Sequence, residues 1–200
     1  MKSVIQLFGY LVILLIPACT NRDSVIEGTL PDDIYHGEVI YWVPFEGASS
    51  ETVDSALTHK NRFRIVISRD NLNKMGIIRV KPLLRLNLQE LIVFAEAGTV
   101  QVKLDSISSA SGAPLNEVLQ NWKDRKEIYN KEIYALRRKL RTAGANDKTG
   151  IQEEIENISD AYHEDIFQIV LNNKDNDVGK FILSLHKSKF THEQMSEIEQ

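Results

Sequence analysis

The spacing of apolar residues changes near the middle of the chain. Between residues 24 and 107, apolar and polar side chains alternate in short runs, and one run places Val100, Val102 and Leu104 on the same face. Successive residues of a strand point to opposite faces, so this pattern predicts short strands with one packed face. Residues 39–43 are apolar on both faces, which predicts a central strand. Turns are predicted at Gly28, Gly37, Gly47, Gly76 and Gly98.

From Pro114 onward the apolar positions follow a helical period instead. The first stripe comprises Trp122, Tyr129, Ile133, Leu136, Leu140 and Ala143, and Lys126 is its one interruption. The second stripe comprises Ile151, Ile155, Ile158, Tyr162, Ile166 and Ile169. This spacing predicts two helices, the first opened by the proline. The predicted connector between them contains Gly144, Asn146, Asp147 and Gly150.

The two predicted helices carry opposite charges. The first has its basic residues at Lys123, Arg125, Lys126, Lys131, Arg137, Arg138, Lys139 and Arg141. The second has acidic residues at Glu153, Glu154, Glu156, Asp160, Glu164 and Asp165. Opposite charges beside an apolar seam favour pairing, so the two helices are expected to form an antiparallel hairpin. A basic surface for nucleic acid or lipid headgroups is the competing interpretation of the first helix.

Two shorter helices are predicted near the end of the chain. Asn176 precedes one of them, and Thr191 with Gln194 forms a capping box that opens the other. Together the patterns predict the α+β class. We expect an antiparallel β-sandwich-like domain over residues 25–110, followed by a helical region over 111–200 that is packed on it. That region holds the long antiparallel helical hairpin and the two short helices.

The N-terminus has the pattern of a secretory signal. Lys2 precedes an apolar stretch at 4–16, which is shorter than the about 20 residues that a membrane-spanning helix needs. The residues that follow, Ile-Pro-Ala-Cys, resemble the bacterial lipoprotein box. That resemblance implies a signal peptide at 1–18, a lipid-modified Cys19 and a short linker at 19–24. The competing interpretation is a conventional cleavage region in which the cysteine is incidental.

Composition narrows the possible functions. The 200 residues are 42% hydrophobic and 26% charged, which is typical of a folded globular protein. A net charge of -4 argues against a nucleic-acid partner. Cys19 is the single cysteine, whereas intrachain disulfides, thiolate zinc sites and redox pairs each require at least two. None of these can form within this sequence.

Several short segments resemble one bacterial family. They are IEGT at 26–29, VDSA at 53–56, NRF at 61–63, AGTV at 97–100, SGAPLN at 111–116, VGKF at 178–181 and the closing segment at 191–199. These segments resemble the N-terminal domain (domain of unknown function 4369) of bacterial lipid-anchored thioredoxin-like thiol-disulfide oxidoreductases. In that family a thioredoxin-like domain with a Cys-x-x-Cys motif commonly follows, and these 200 residues contain no such motif. The family's enzymatic activity is therefore not expected here, because thiol-disulfide exchange needs an attacking and a resolving thiol. The chain is either a stand-alone accessory domain or a truncated oxidoreductase.

The expected function is that of a non-catalytic, lipid-anchored cell-envelope protein that serves as a binding or interaction module. It is expected on the periplasmic face, preferably at the outer membrane because Thr20 follows the cysteine in place of aspartate. The alternative is an accessory subunit that acts in trans with a separate thioredoxin-like partner. A lower-ranked alternative is a hydrolase that uses His163 and the neighbouring carboxylates.

Candidate site residues are few. Trp42, Trp122 and Tyr129 are candidates for lining an apolar ligand groove where sheet meets helix, with ordinary core packing as the competing interpretation. The histidines lack the close spacing of metal ligands, so no metal and no other cofactor is expected; they are His36, His59, His163, His186 and His192.

Overall fold

Within residues 23–200, eight β-strands are followed by four α-helices. This computed structural model describes residues 23–200, so the predicted signal peptide and Cys19 lie outside the described residues. The strands are β1 (Ser24–Thr29), β2 (Val39–Pro44), β3 (Asp54–Leu57), β4 (Arg62–Val66), β5 (Met75–Arg79), β6 (Leu91–Phe94), β7 (Gly98–Lys103) and β8 (Ser109–Ser111). The helices are α1 (Pro114–Thr142), α2 (Ala145–Leu171), α3 (Asp177–His186) and α4 (His192–Glu199). The predicted α+β class is confirmed.

The strands form two four-stranded sheets. The first has the order β4-β1-β7-β8 and the second has the order β3-β2-β5-β6. The strand at 39–43, predicted to be central, is the interior strand β2 of the second sheet. The pairs are antiparallel except β1–β7, which are parallel with Ser24 opposite Gly98. Alternation of apolar and polar residues predicts which face of a strand is packed, but it does not predict the direction of the neighbouring strand. The parallel pair could therefore not be predicted from the sequence pattern.

The inner faces of the two sheets pack on each other and form the first core. The alternation predicted for β7 is confirmed, because Val100 and Val102 are buried while Thr99, Gln101 and Lys103 are exposed. The fully buried large side chains of this core include Ile26, Ile40, Trp42, Ile65, Ile78, Leu88 and Leu104. Removal of this apolar surface from water is the main stabilising contribution to the sandwich.

Two glycines that were predicted to mark turns lie inside strands instead. Gly28 is in β1 and Gly76 is in β5. A Cβ added at Gly28 would lie 2.0 Å from Cζ of Phe63, and one at Gly76 would lie 2.4 Å from Cε2 of Trp42. Each glycine therefore makes room for an aromatic ring from the neighbouring strand. The turn prediction holds for Gly37, which has a positive φ of 79°.

The helices form a second core against β6 and β5. Helices α1 and α2 make the predicted hairpin, and α3 and α4 pack against α2. Fully buried residues of this core include Ile166, Val170, Val178 and Ile182. The predicted connector was wrong in extent, since Asn146, Asp147 and Gly150 all lie within α2 and only residues 143–144 separate the helices. Tertiary packing along the α2 stripe outweighs the weak helix propensity of its first turns.

Charge pairing between α1 and α2 is confirmed at one position. Nη1 of Arg125 lies 2.8 Å from Oδ2 of Asp165, and no other ion pair joins the two helices in the part of the chain that the structure describes. Both predicted caps are confirmed. The Asn176 side chain accepts from N–H of Gly179 at 2.9 Å, and Thr191 forms the capping box with Gln194. Within residues 23–200, no helix is long and apolar enough to cross a membrane.

Candidate functional site

Helix α1 covers the side of the sandwich where the edge strands β6 and β8 approach each other. The fully buried Asn116 pairs with the β6 edge, because its Oδ1 accepts from N–H of Phe94 at 3.0 Å and its Nδ2 donates to the carbonyl oxygen of Phe94 at 2.8 Å. One turn later, Oε1 of Gln120 accepts from N–H of Ala110 on β8 at 2.8 Å. Side-chain amides thus satisfy main-chain groups that the sheet edges would otherwise leave unpaired.

The start of α1 is held by a carboxylate that comes from the sheet. Residue Ala113 at the N-cap position has no side chain that can accept a hydrogen bond. Oε1 of Glu96 takes that role and accepts from N–H of Leu115 at 3.0 Å and from N–H of Asn116 at 3.1 Å. The same oxygen accepts from Nδ2 of Asn116 at 2.9 Å. A negative charge at a helix N-terminus is favourable, so Glu96 fixes where α1 begins relative to β6.

A cavity of about 270 Å³ lies between β6 and the next turns of α1, and we call it the β6–α1 groove. Its apolar lining comprises Leu91, Ile92, Ala110, Leu119 and Trp122. Its polar lining comprises Gln89, Glu90, Gln120, Lys123, Lys126, Glu127 and Asn130. A concave, largely apolar surface with a few converging polar groups is the usual form of a ligand site, although this groove lies just below the usual range of about 300–1,000 Å³.

The groove also exposes a main-chain pairing position of β6. Ala95 exchanges hydrogen bonds with the β5 side, donating to the carbonyl oxygen of Lys74 at 2.9 Å and accepting from N–H of Asn73 at 2.8 Å. Phe94 instead pairs away from β5, with Asn116. Main-chain groups of a strand alternate in direction, so Ile92 also directs its N–H and carbonyl away from β5. No side-chain hydrogen bond in residues 23–200 reaches these two groups of Ile92, which also lines the groove.

The two carboxylates of the groove are already paired with protein groups. Oε1 of Glu127 accepts from Nε2 of Gln89 at 3.0 Å and lies 3.2 Å from Nζ of Lys123. The Gln89 hydrogen bond and the nearby lysines lower the pKa of Glu127 below its usual value. Oε1 of Glu90 lies 2.9 Å from Nε of Arg85. Glu127 is therefore expected to stay ionised at neutral pH, and both carboxylates are engaged by cationic side chains.

Lys126 is the cation of the groove that has no carboxylate partner among the described residues. Its Nζ lies 5.1 Å from the centre of the Trp122 ring, in a cation–π contact. The charged residues of the lining are two lysines and two carboxylates, so the groove is formally neutral: Glu90, Lys123, Lys126 and Glu127. An anionic group on a ligand would complement Lys126.

Trp122 joins the groove to the helical core. Its Nε1 donates to Nε2 of His186 at 3.2 Å, which requires His186 to be neutral with its proton on Nδ1. Burial, with further contributions from Lys126 and His163, lowers the pKa of His186. Next to it, Tyr129 stacks on Tyr162 with ring centres 4.3 Å apart. Burial raises the pKa of Tyr162 to about 12.

The three aromatic residues predicted to share a groove are separated in the structure. Trp122 lines the β6–α1 groove, whereas Tyr129 stacks within the helical core. Trp42 is fully buried between the two sheets and does not line the groove. The alternation of β2 directs Trp42 inward, and Gly76 leaves the space that its indole ring fills.

The histidines show no arrangement of a hydrolase or a metal site. His163 lies beside the Tyr162 ring, with ring centres 5.9 Å apart, and no hydrogen bond in residues 23–200 links it to a carboxylate. The neighbouring Asp165 pairs with Arg125, and Glu164 accepts from Gln168. Within the described part of the chain, no group of three His, Cys, Asp or Glu side chains is placed to hold a metal ion.

Sequence reasoning missed most of the groove. Gln89 and Gln120 belong to no quoted motif, Asn116 ends the segment at 111–116, and their roles depend on partners 10 to 38 residues away. Two features of the sequence did point to the site: Trp122 was a candidate groove residue, and Lys126 interrupts an otherwise apolar helical stripe. A cation in that position had no role in a helix–helix seam, and in the structure it lies at the groove.

Comparison with known proteins adds no family. No protein-family model matches the chain, and neither curated proteins nor solved structures include a significant match. The resemblance to the domain that precedes thioredoxin-like domains therefore stays a prediction from the quoted segments. Conclusions about function depend on the groove and on the N-terminal sequence.

Proposed function

We propose that this protein is a non-catalytic, lipid-anchored cell-envelope protein that works as a binding module through the β6–α1 groove. The observation that carries the proposal is the construction of the groove itself. It combines an apolar floor, a lysine without a carboxylate partner and an unpaired strand edge. Hydrogen bonds from Asn116, Gln120 and Gln89 hold the walls in place, so the site is preorganised.

The anchor is supported by the N-terminal sequence and by where the fold begins. Cys19 follows an apolar stretch, and β1 starts at Ser24. The five steps between these residues reach under ~20 Å even when fully extended. A diacylglyceryl-modified cysteine provides two acyl chains, which suffice for stable membrane attachment. The folded body would then lie close to the bilayer.

The groove faces the end of the sandwich that is remote from the proposed anchor. Only residues 95–97 connect the end of β6 to the start of β7, and Gly98 at that start is opposite Ser24. The last residue of β6 therefore lies near the anchored end, whereas Gln89 and Leu91 lie toward the opposite end. A ligand in the surrounding compartment would have access to the groove while the protein is attached to the membrane.

The anchor is tested by mass spectrometry of the mature protein expressed in a Gram-negative host. We expect an N-terminal diacylglyceryl-modified Cys19 and recovery in the membrane fraction. The variant Cys19→Ser is the matched control and should remain unprocessed and unlabelled by an alkyne-tagged palmitate. An unmodified Cys19 thiol that reacts with Ellman's reagent in the mature protein would refute the anchor.

The absence of catalysis is tested separately on the full-length protein in detergent. We expect no turnover of a disulfide substrate such as oxidised glutathione, and none of p-nitrophenyl acetate above the rate of a His163→Ala variant. Hydrolysis that depends on His163 would favour the hydrolase alternative and would contradict the proposed role.

A further inference from the structure

We propose that the β6–α1 groove binds an extended acidic peptide segment, which pairs its main chain with Ile92 on β6 and places a carboxylate on Lys126. This inference rests on the proposed function as a binding module and names its ligand class. The occupant is a segment of a partner protein in which apolar and acidic residues alternate.

The first argument comes from the main chain of β6. At Phe94 the edge is already paired with a primary amide, because the Asn116 side chain both donates and accepts there, as a neighbouring strand would. Two residues earlier, Ile92 directs the same two groups away from β5, and Ile92 lines the groove. The carbonyl and the N–H of one residue in an extended chain pair with such an N–H and carbonyl, as in an antiparallel ladder. Strand addition to a sheet edge is a common mode of peptide recognition.

The second argument comes from the size and lining of the groove. A cavity of about 270 Å³ accommodates one or two residues of an extended chain and not a whole domain. In an extended segment, alternate side chains point to opposite sides. One side chain would contact the apolar floor formed by Leu119 and Trp122, while the next would point to the polar rim. Apolar and polar residues should therefore alternate in the ligand.

The third argument comes from charge. Lys123 is held by Glu127 at 3.2 Å, and Glu90 is held by Arg85 at 2.9 Å. Lys126 forms no ion pair among the described residues, contacts the ring of Trp122 and is exposed, so its charge is accessible to a ligand. A ligand carboxylate would be attracted to Lys126, whereas a ligand cation would be repelled. The polar residues of the ligand should therefore be acidic.

The inference is tested by fluorescence anisotropy with the full-length protein in detergent micelles. The probe is fluorescein-labelled Glu-Val-Glu-Val-Glu with an amidated C-terminus, and the charge control is Lys-Val-Lys-Val-Lys with the same label. We expect the acidic peptide to bind at least tenfold more tightly. Methylation of the main-chain nitrogens of both valines should weaken binding of the acidic peptide at least tenfold, because it removes donors without changing charge.

Variants of the protein test the two contacts separately. Lys126→Gln should weaken the acidic peptide three- to tenfold, while Lys131→Gln, on the exposed face of α1, should have no effect. Ile92→Pro removes the outward N–H without removing a bond to β5, and proline is tolerated at such edge positions. It should weaken the unmethylated acidic peptide about three- to tenfold, because the peptide carbonyl that accepts from N–H of Ile92 loses its donor. The methylated peptide tests main-chain pairing even if Ile92→Pro does not fold.

Each result has a defined meaning. Equal binding of the acidic and basic peptides would overturn the assigned charge of the ligand, and indifference to main-chain methylation would overturn strand pairing. Failure of Cys19 acylation would refute the lipid anchor and leave the peptide result intact. A third outcome is that neither peptide binds, while the hydrophobic probe 1-anilinonaphthalene-8-sulfonate binds to the protein and its binding is lost in Trp122→Ala. In that case the groove is a ligand site and only the peptide inference fails.

Discussion

Asn116 should contribute more to stability than any other polar side chain of α1. It is fully buried and makes three hydrogen bonds to the end of β6, two to Phe94 and one to Glu96. The substitution Asn116→Ala removes the partner of the Phe94 N–H and one of two donors to the Phe94 carbonyl, which still accepts from N–H of Glu96 at 3.0 Å. The region stays covered by α1, so the Phe94 N–H loses its protein partner without becoming freely solvated.

The size of the effect follows from these contacts. A buried main-chain group without a partner costs about 1–3 kcal/mol, so the orphaned N–H of Phe94 gives an expected loss of about 1–3 kcal/mol in the free energy of unfolding. Alanine has a better helix propensity than asparagine by a few tenths of a kcal/mol, which offsets the loss slightly. For a chain of this length, the expected decrease in melting temperature is about 2–12 °C.

Urea unfolding followed by circular dichroism measures this quantity. The control is Asn121→Ala, which makes the same chemical change at an exposed position of the same helix and should alter the free energy of unfolding by less than about 0.5 kcal/mol. The difference between the two variants removes the propensity contribution. If Asn116→Ala were as stable as Asn121→Ala, the pairing of α1 with the β6 edge would not hold the helix in place.

Three further predictions concern pH, packing and capping. The pKa of His186 is lowered in the folded state, so the folded protein binds the proton more weakly than the unfolded chain does. The melting temperature should therefore fall as the pH drops below about 6.5. In His186→Gln this fall should be smaller. Gly76→Ala would place a methyl group 2.4 Å from Cε2 of Trp42. This overlap should lower the free energy of unfolding in urea by about 1–3 kcal/mol and shift the fluorescence of Trp42. An unchanged urea midpoint would contradict the close packing. Glu96→Ala removes the acceptor at the start of α1 and should lower the free energy of unfolding by about 1–2 kcal/mol. Hydrogen exchange should become faster only in the first turn of α1. Faster exchange spread evenly along α1 would argue against a capping role.

The sequence predicted features that depend on neighbouring residues. Alternation in β7, the helical stripe of α1 and the Thr191 capping box were confirmed, because each depends on the chain within a few residues. The assignments of Gly28 and Gly76 to turns were wrong for the opposite reason. Glycine in a strand is explained by the aromatic ring that covers it, and that ring comes from another strand.

The groove shows the same limit at larger separations. Gln89 and Glu127 are hydrogen bonded across 38 residues, and no local pattern indicates that they meet. Trp42 and Trp122 were grouped because both are large aromatics, yet the two cores of the molecule separate them. Trp122 was predicted as a groove residue and lines it, and Lys126 was conspicuous because a charge within an apolar stripe requires an explanation from tertiary structure.

The amide of Asn116 also bears on self-association. An open sheet edge can template the addition of identical strands, which is how fibrils grow. Asn116 occupies the edge at Phe94 and leaves only the peptide groups before it exposed on the short strand β6. Such a brief opening is too small for a ladder of repeating copies to grow through β6.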